Sequence, residues 1–491
     1  MLAATTANPP AEFPYLTKLV KQGGDVSALL VDLHSGQTLA SLDANQRLTP
    51  ASLSKLVLAA AALDTWGPNK RFTTDLYYQG QLAKSGILTG NLIVRGEGDA
   101  DLTNDQLWRL ANEVKRAGIS KVTGNLIINN QDFGPIGCVT VDRCQAKTSS
   151  SNAYAGRLAA TSVNYSIAGL AIIPAKKAGQ PARLSQIPFA VPSIKVKGKI
   201  TTSRATKRPT FQVKRLTKAG TDYFTISGSV PAKGGSYQVY RAVSNPSRYS
   251  GELLKAFLQQ AGVTVKGNVE VSFKPVPQQA ELLLQFKGAP LKEQIGKVLT
   301  FSNNYMADML AIKLWLTEHA GQTNGSTNLL TEAGLGLENY LTDLTQSSNG
   351  LQKVTLGQGD KDSLLPIVMS GSGLTPANRL SATDIVSVLA HIYQQTDLFP
   401  SFLAGLVVPN NSKRGIFRRG SDDWLKRIQV KTGSLTQPRP VFGLAGYLRL
   451  RNGHWGAFAV ITNGLANNKQ QTYPELQQAV KADMEKLLDR F

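Results

Sequence analysis

The segment Thr49-Pro50-Ala51-Ser52-Leu53-Ser54-Lys55 runs without interruption into the apolar stretch Leu56 to Leu63. Thr is a strong helix N-cap, and Pro suits the first helical position, where no amide donor is needed. This start predicts a helix with Ser52 at its third position, among backbone N–H groups that have no intrahelical acceptor. Ser52 and Lys55 are three residues apart, so they share one face. A hydroxyl is thereby set beside an amine at the positive end of a helix, the combination a serine acyl enzyme needs. The competing reading is a serine that only caps a helix, and partner motifs have to decide.

A Ser-x-x-Lys nucleophile calls for a Ser-x-Asn and a Lys-Thr/Ser-Gly elsewhere in the chain. Ser302-Asn303-Asn304 interrupts two helical patterns, Pro290 to Leu299 and Tyr305 to Leu316, and reads as a bend between helices. Lys84-Ser85-Gly86 lies between two short strand patterns and reads as a turn. Lys431-Thr432-Gly433 follows the strand-like Arg427 to Val430, precedes Ser434-Leu435, and is succeeded by strand patterns at Val441–Leu450 and Trp455–Thr462. Only this later copy completes the order Ser52, Ser302, Lys431 on a helix, a bend and a strand.

With these motifs the chain resembles the low-molecular-mass penicillin-binding proteins of the type-4 (DacB) kind, the D-alanyl-D-alanine carboxypeptidases and endopeptidases of peptidase family S13. Four stretches carry the resemblance: Pro50-Ala51-Ser52-Leu53-Ser54-Lys55, Ser302-Asn303-Asn304, Ser370-Gly371-Ser372-Gly373-Leu374 and Lys431-Thr432-Gly433-Ser434-Leu435. The gap of 250 residues between Ser52 and Ser302 is its most specific part. Two positions depart from the family, which usually has Asp where Asn303 and Ser370 stand; neither change removes a catalytic group.

The resemblance implies an α/β (α+β) fold: a serine β-lactamase/DD-peptidase-like transpeptidase domain. Its antiparallel sheet is flanked by helices, beside an all-helical part. It also implies a large two-domain insertion, one domain β-rich and one small α/β. The expected domains are 1–67 with 281–491 (catalytic), 68–90 with 188–280 (β-rich), and 91–187 (nested α/β). The implied substrates are peptidoglycan stem peptides, with β-lactams as acylating mimics, no cofactor and a periplasmic location. By resemblance Ser52 is the nucleophile and Lys55 its base, Ser302 relays a proton to the leaving amine, and Asn304 orients Lys55 and the substrate amide. Lys431 and Thr432 hold the terminal carboxylate, Gly433 belongs to the substrate-binding segment, and the amides of Ser52 and Ser434 form the oxyanion hole. Lys55 serves only when neutral, and a free lysine titrates near ~10.4, so operation near pH 7 asks for roughly 4 kcal/mol of destabilisation of its charged form. Burial, the helix end and Lys431 are the candidate causes.

A chain of 491 residues implies two or three domains, and its 42% hydrophobic content is ordinary for a globular protein. No apolar run is long enough to span a membrane. Met1-Leu2-Ala3-Ala4-Thr5 lacks the parts of a signal peptide, so for an exported protein the expectation is a processed chain. Cys138 and Cys144 suggest a small loop disulfide and an oxidising compartment; two unpaired thiols are the alternative. Two Cys and the scattered His34, His319, His391 and His454 show no zinc spacing and no sign of a Ser-His-Asp hydrolase.

Along the chain, Ser27–Asp32 and Gln37–Leu42 predict a hairpin. Asn91–Val94, Leu102–Ala117 and Gly124–Asn129 predict a β-α-β unit on a parallel pairing. Strand patterns between 194 and 243 suggest an antiparallel β unit, and from about Glu281 the pattern turns helical. The terminal helix places Leu476, Val480, Met484, Leu487, Leu488 and Phe491 on one face, favouring packing on the sheet over membrane anchoring.

The net charge of +21 is concentrated: residues 190–275 carry 15 Lys/Arg against 3 Asp/Glu. No RNA motif or recognition helix accompanies the excess, which weighs against nucleic acid. Peripheral contact with anionic membrane or wall polymers is the preferred partner reading, against a merely soluble basic surface. Two rival functions remain at this level. One is a β-lactamase, with Glu338 as water activator, although Glu338 sits in an ordinary amphipathic pattern. The other is a catalytically vestigial wall-binding scaffold, although none of Ser52, Lys55 or Lys431 is lost.

Overall fold

The structure is a computed structural model that describes residues 11–148, 152–319, 328–346, 365–409 and 423–491. The expectation placed on Met1 to Thr5 lies outside the described residues. The chain forms two compact units: residues 1–70, 291–307 and 331–491 make the first, and 71–290 with 308–330 the second.

Among the described residues, the first unit is built on a five-stranded antiparallel sheet. Its order is Ile428–Leu435, Val441–Arg449, Trp455–Asn463, Asp25–Asp32, Thr38–Leu42. The N-terminal hairpin forms as expected, and its first strand pairs with the last strand of the chain, Ala28 opposite Val460. The sheet therefore joins both ends of the sequence. On Val441–Arg449 the even positions Phe442, Leu444 and Leu448 face a core shared with Leu16 and Leu19 and with Leu476, Val480, Met484, Leu487 and Leu488 of the terminal helix Tyr473–Arg490. The sheet-packing expectation for that helix holds. Asp483 of the same helix accepts from the amides of Tyr15 and Leu16 at 3.1 and 2.8 Å. It thus satisfies donors at the start of the helix Pro14–Lys21.

The opposite face of the same strand carries Gly443, where an added Cβ would lie 2.8 Å from the side chain of Leu53. The segment Ala51–Leu53 thus packs onto a part of the sheet that carries no side chain. Its helix, Ser54–Trp66, is buried from Ser54 through Leu63. Gly67 stops it, with φ 69° and its amide on the carbonyl of Leu63.

In the second unit the β-α-β expectation holds: Ile87–Gly96 and Leu126–Asn129 pair in parallel across the helix Asn104–Arg116. Arg71–Leu82, Glu281–Pro290 and Val269–Ser272 belong to the same seven-stranded sheet. Three expectations change here. Residues 281–290 form a strand on Arg71–Leu82, so the helical part begins at Leu291. Ile194–Ser203 pairs in parallel with Thr221–Pro231, and Tyr237–Ala242 joins Ile167–Ile173 instead. The nesting also inverts. The strands between 167 and 242 are enclosed by the α/β sheet, whose strand Ile87–Gly96 runs straight through the boundary expected at 90/91. Local patterning marks a strand but does not name its partner. Cys138 and Cys144 are joined as a disulfide.

Candidate active site

Ser52 lies within the first unit in a 3₁₀ turn, Ala51–Leu53, directly before the helix. This corrects the N-cap expectation. The Thr49 hydroxyl donates to the carbonyl of Pro376 at 3.0 Å and accepts from Arg379 at 2.9 Å, so it does not cap the turn. Ala51 takes a left-handed φ of 49°, which costs a residue with a Cβ about 1–2 kcal/mol. The surrounding contacts enforce it: the buried Asn463 amide holds both the N–H and the C=O of Thr49, each at 3.0 Å.

Lys55 is fully buried one turn along. Its amine donates to Ser52 Oγ at 2.9 Å, to Asn304 Oδ1 at 2.8 Å, and to the main-chain carbonyl of Ser372. None of these three acceptors is a carboxylate. A neutral amine has two protons and one lone pair. Asn304 and Ser372 can each take a proton, which leaves the lone pair for the Ser52 hydroxyl.

Asn304 begins the helix Asn304–Glu318, and Ser302 forms the bend before it with φ 53°. Asn303 accepts from the amide of Met306 at 3.1 Å, the bond expected of a helix cap. The Asp-to-Asn departure therefore keeps the cap. Ser302 Oγ accepts from Lys431 Nζ at 2.9 Å, and Lys431 also reaches its neighbour's carbonyl, Thr432 O, at 2.7 Å. Burial pushes the Lys431 amine down to about 7. At that value the Lys431 amine is only partly charged near pH 7.

Lys431, Thr432, Gly433 and Ser434 lie inside the edge strand Ile428–Leu435, not after it. The amide of Val430 points out of the sheet, bonded to Val407 O at 2.9 Å. With the two-residue strand period and no register shift, the amides of Thr432 and Ser434 face the same open edge. Gly433 permits the approach of the nucleophile turn: a Cβ there would lie 2.5 Å from Pro50 O and 3.2 Å from Ser52 N. Ser52 N and Ser434 N thus belong to two segments in contact, as an anion-binding pair of amides requires.

The first unit brings together Ser52, Lys55, Ser302, Asn304 and the 431–434 segment. The Glu338 carboxylate accepts from Val368 N at 2.6 Å, a bond that holds the segment leading into the 370–373 loop. Sequence reading missed the Ser372 carbonyl and the buried Asn378. The first is a main-chain group with no residue signature. The second is an ordinary Asn whose only hint is its place after the Ser/Gly-rich 370–373 loop. Among the described residues no group of three or more His, Cys, Asp or Glu could hold a metal. No helix there is long and apolar enough to cross a membrane.

A serine hydrogen-bonded to a buried lysine, without histidine, on an antiparallel sheet edged by Lys-Thr-Gly defines a serine-type peptidase of the acyl-transferring class. Residues 15–486 match the D-Ala-D-Ala carboxypeptidase 3 (S13) family, and the chain belongs to that family. It is therefore a serine-type D-Ala-D-Ala carboxypeptidase, a hydrolase. It is 26% identical to the D-alanyl-D-alanine carboxypeptidase DacB of Haemophilus influenzae, over 91% of this chain and 87% of that protein. It is 27% identical to the D-alanyl-D-alanine carboxypeptidase of an Actinomadura species, over 90% of this chain and 78% of that one. The fold is similar to the crystal structure of Haemophilus influenzae penicillin-binding protein 4 (DacB), with a TM-score of 0.74 and 23% identity, covering 97% of this chain and 98% of that one.

Proposed function

We propose that Ser52 is the acylated residue of a DD-peptidase that cleaves the D-Ala-D-Ala end of peptidoglycan stem peptides. The observation carrying this assignment is the Lys55 Nζ to Ser52 Oγ hydrogen bond of 2.9 Å, from an amine that also reaches the Asn304 amide oxygen and the Ser372 carbonyl. Neutral Lys55 takes the Ser52 proton as Oγ attacks the carbonyl between the two D-alanines. The oxyanion is held by the amides of Ser52 and Ser434, a contribution of about 3 kcal/mol per donor. Ser302, bonded to Lys431, passes a proton to the departing D-Ala amine, and water then releases the acyl group. Lys431 and Thr432 receive the terminal carboxylate. The approach of that anion favours the charged form of Lys431, so substrate binding takes up a proton around pH 7. A β-lactam presents a reactive carbonyl and a carboxylate in the same relation, so it acylates Ser52. One of the solved relatives is itself described as complexed with a β-lactam.

Mass spectrometry after incubation with penicillin tests the assignment: a stable adduct is expected on Ser52 and absent in Ser52→Ala. An intact, folded protein without an adduct overturns it. Purified muropeptides, scored for D-Ala release against dimer cleavage, then separate carboxypeptidase from endopeptidase action.

The substrate places the enzyme at the wall, in the periplasm. There the sheet Thr210–Lys218, Thr221–Pro231, Ile194–Ser203 offers its exposed face to an anionic surface. Lys195, Lys197, Lys199 and Lys214 stand on that face. The sheet's acid, Asp222, is turned inward, with Ser244 N bonded to it at 2.8 Å. Phosphatidylglycerol vesicles should retain the protein at low salt and release it at high salt; equal binding to neutral vesicles would count against this contact.

A further inference from the structure

Asn378 is fully buried behind the loop Ser370-Gly371-Ser372-Gly373. Its Oδ1 accepts from Met369 N at 2.9 Å, and its Nδ2 donates to Ser370 O at 2.9 Å. One side chain therefore holds an N–H and a C=O of the loop's first turn, as another strand would. Its second Nδ2 proton goes to Ser54 Oγ at 2.8 Å, and Ser54 Oγ donates to Ala51 O at 3.1 Å. The loop is thereby bolted to the turn that carries Ser52. Within the loop, Ser370 Oγ and Ser372 Oγ are 2.8 Å apart, and the Ser372 carbonyl receives Lys55. Gly373, at φ 69°, lets the loop close on that turn: a Cβ there would lie 1.9 Å from Ala51 O.

We propose that Asn378 is a positioning residue for acylation. Through Ser370 it sets the Ser372 carbonyl, and through Ser54 it sets the nucleophile turn, so the Lys55 lone pair points at Ser52. The proposal rests on the reading of Ser52 as nucleophile and Lys55 as base. Without the clamp, the neutral amine loses the fixed acceptor for its second proton, and its lone pair no longer faces the hydroxyl. Neither Lys431 nor the edge strand takes part in the clamp, so ligand capture is spared while the chemical step slows. A misplacement of about 1 Å in such an arrangement costs on the order of 100-fold in rate.

Stopped-flow acylation by a fluorescent penicillin separates the limiting acylation rate from the dissociation constant of the preceding complex. Asn378→Ala is expected to lower the limiting rate about 100-fold, and Ser54→Ala about 10-fold, with the dissociation constant unchanged within about twofold. A loosened fold with no positioning role would scale the amount of labelled protein, not the rate constant of the labelled fraction. Should Asn378→Ala not fold, Ser54→Ala, which removes one hydroxyl, decides. Wild-type limiting rates in either folded variant, or a loss confined to the dissociation constant, overturn the proposal. A wild-type protein that is not labelled at all overturns the assignment of Ser52 instead.

Discussion

The two units treat their fully buried cationic side chains differently, although the half-buried Arg47 of the first unit is also paired with a carboxylate, that of Asp384, at 3.1 Å. In the second unit, buried Arg143 is paired with buried Asp308, and buried Arg215 lies 3.8 Å from Asp222. In the first, Lys55 donates to a hydroxyl, an amide and a carbonyl, and Lys431 to a hydroxyl and a carbonyl. A carboxylate fixes a proton on its partner, since the charged form gains most from the pairing. Neutral acceptors orient an amine without locking its protonation state. On the proposed mechanism, the difference separates cations that hold a fold from amines that exchange protons.

The largest effect is expected from giving Lys55 the partner that the second unit would use. Asn304→Asp sets a carboxylate at the 2.8 Å contact, which favours the charged amine and so withdraws the base of the proposed mechanism. Acylation by fluorescent penicillin at pH 7 should fall about 1,000-fold and recover in part as pH rises. The converse change is Asp308→Asn, which leaves Arg143 buried without its carboxylate. Unfolding by denaturant should show a loss of about 3–5 kcal/mol.

A smaller and opposite effect is expected at Lys431. Its value in the folded chain, about 7, lies below the ordinary 10.5, so between these pH values the unfolded chain holds the extra proton. Stability therefore climbs with pH across that window, and below it the protein carries the full cost of the buried charge. Lys431→Met should unfold several degrees higher than wild type at pH 6, with the gap closing by pH 10, while acylation is lost. The smallest effect is expected at the exposed Arg116–Glu113 pair, where Arg116→Ala should move the unfolding midpoint by less than about 1 °C.

Much of the site was legible because catalysis needs particular side chains at particular spacings. Ser52 and Lys55, the bend at Ser302, and Lys431 through Ser434 all meet in one unit. The β-α-β pairing and the buried face of the terminal helix followed from periodicity. The helix start at Thr49 was misread because its hydroxyl is claimed by Pro376 and Arg379, more than 300 residues away. The nesting of the inserted strands was misread for a similar reason. Ile87–Gly96 chooses neighbours at Arg71–Leu82 and Leu126–Asn129, a choice fixed by three-dimensional register and not by local pattern. Asn378 was silent because two of its partners are main-chain atoms and another, Ser54 Oγ, lies 324 residues away in the sequence.

The union of both chain ends in one sheet has a consequence for biogenesis. Asp25–Asp32 meets its partner only when a segment roughly 430 residues downstream has been made, and Lys431 and Ser434 arrive with the same late strands. At about 5–20 residues per second the N-terminal strand waits some 20–90 s after synthesis. During that interval Ser52 and Lys55 exist without Lys431, Thr432 or the Ser434 amide. On the proposed mechanism, a nascent or truncated chain thus carries a silent serine, and hydrolytic competence appears only once the last strands join the sheet.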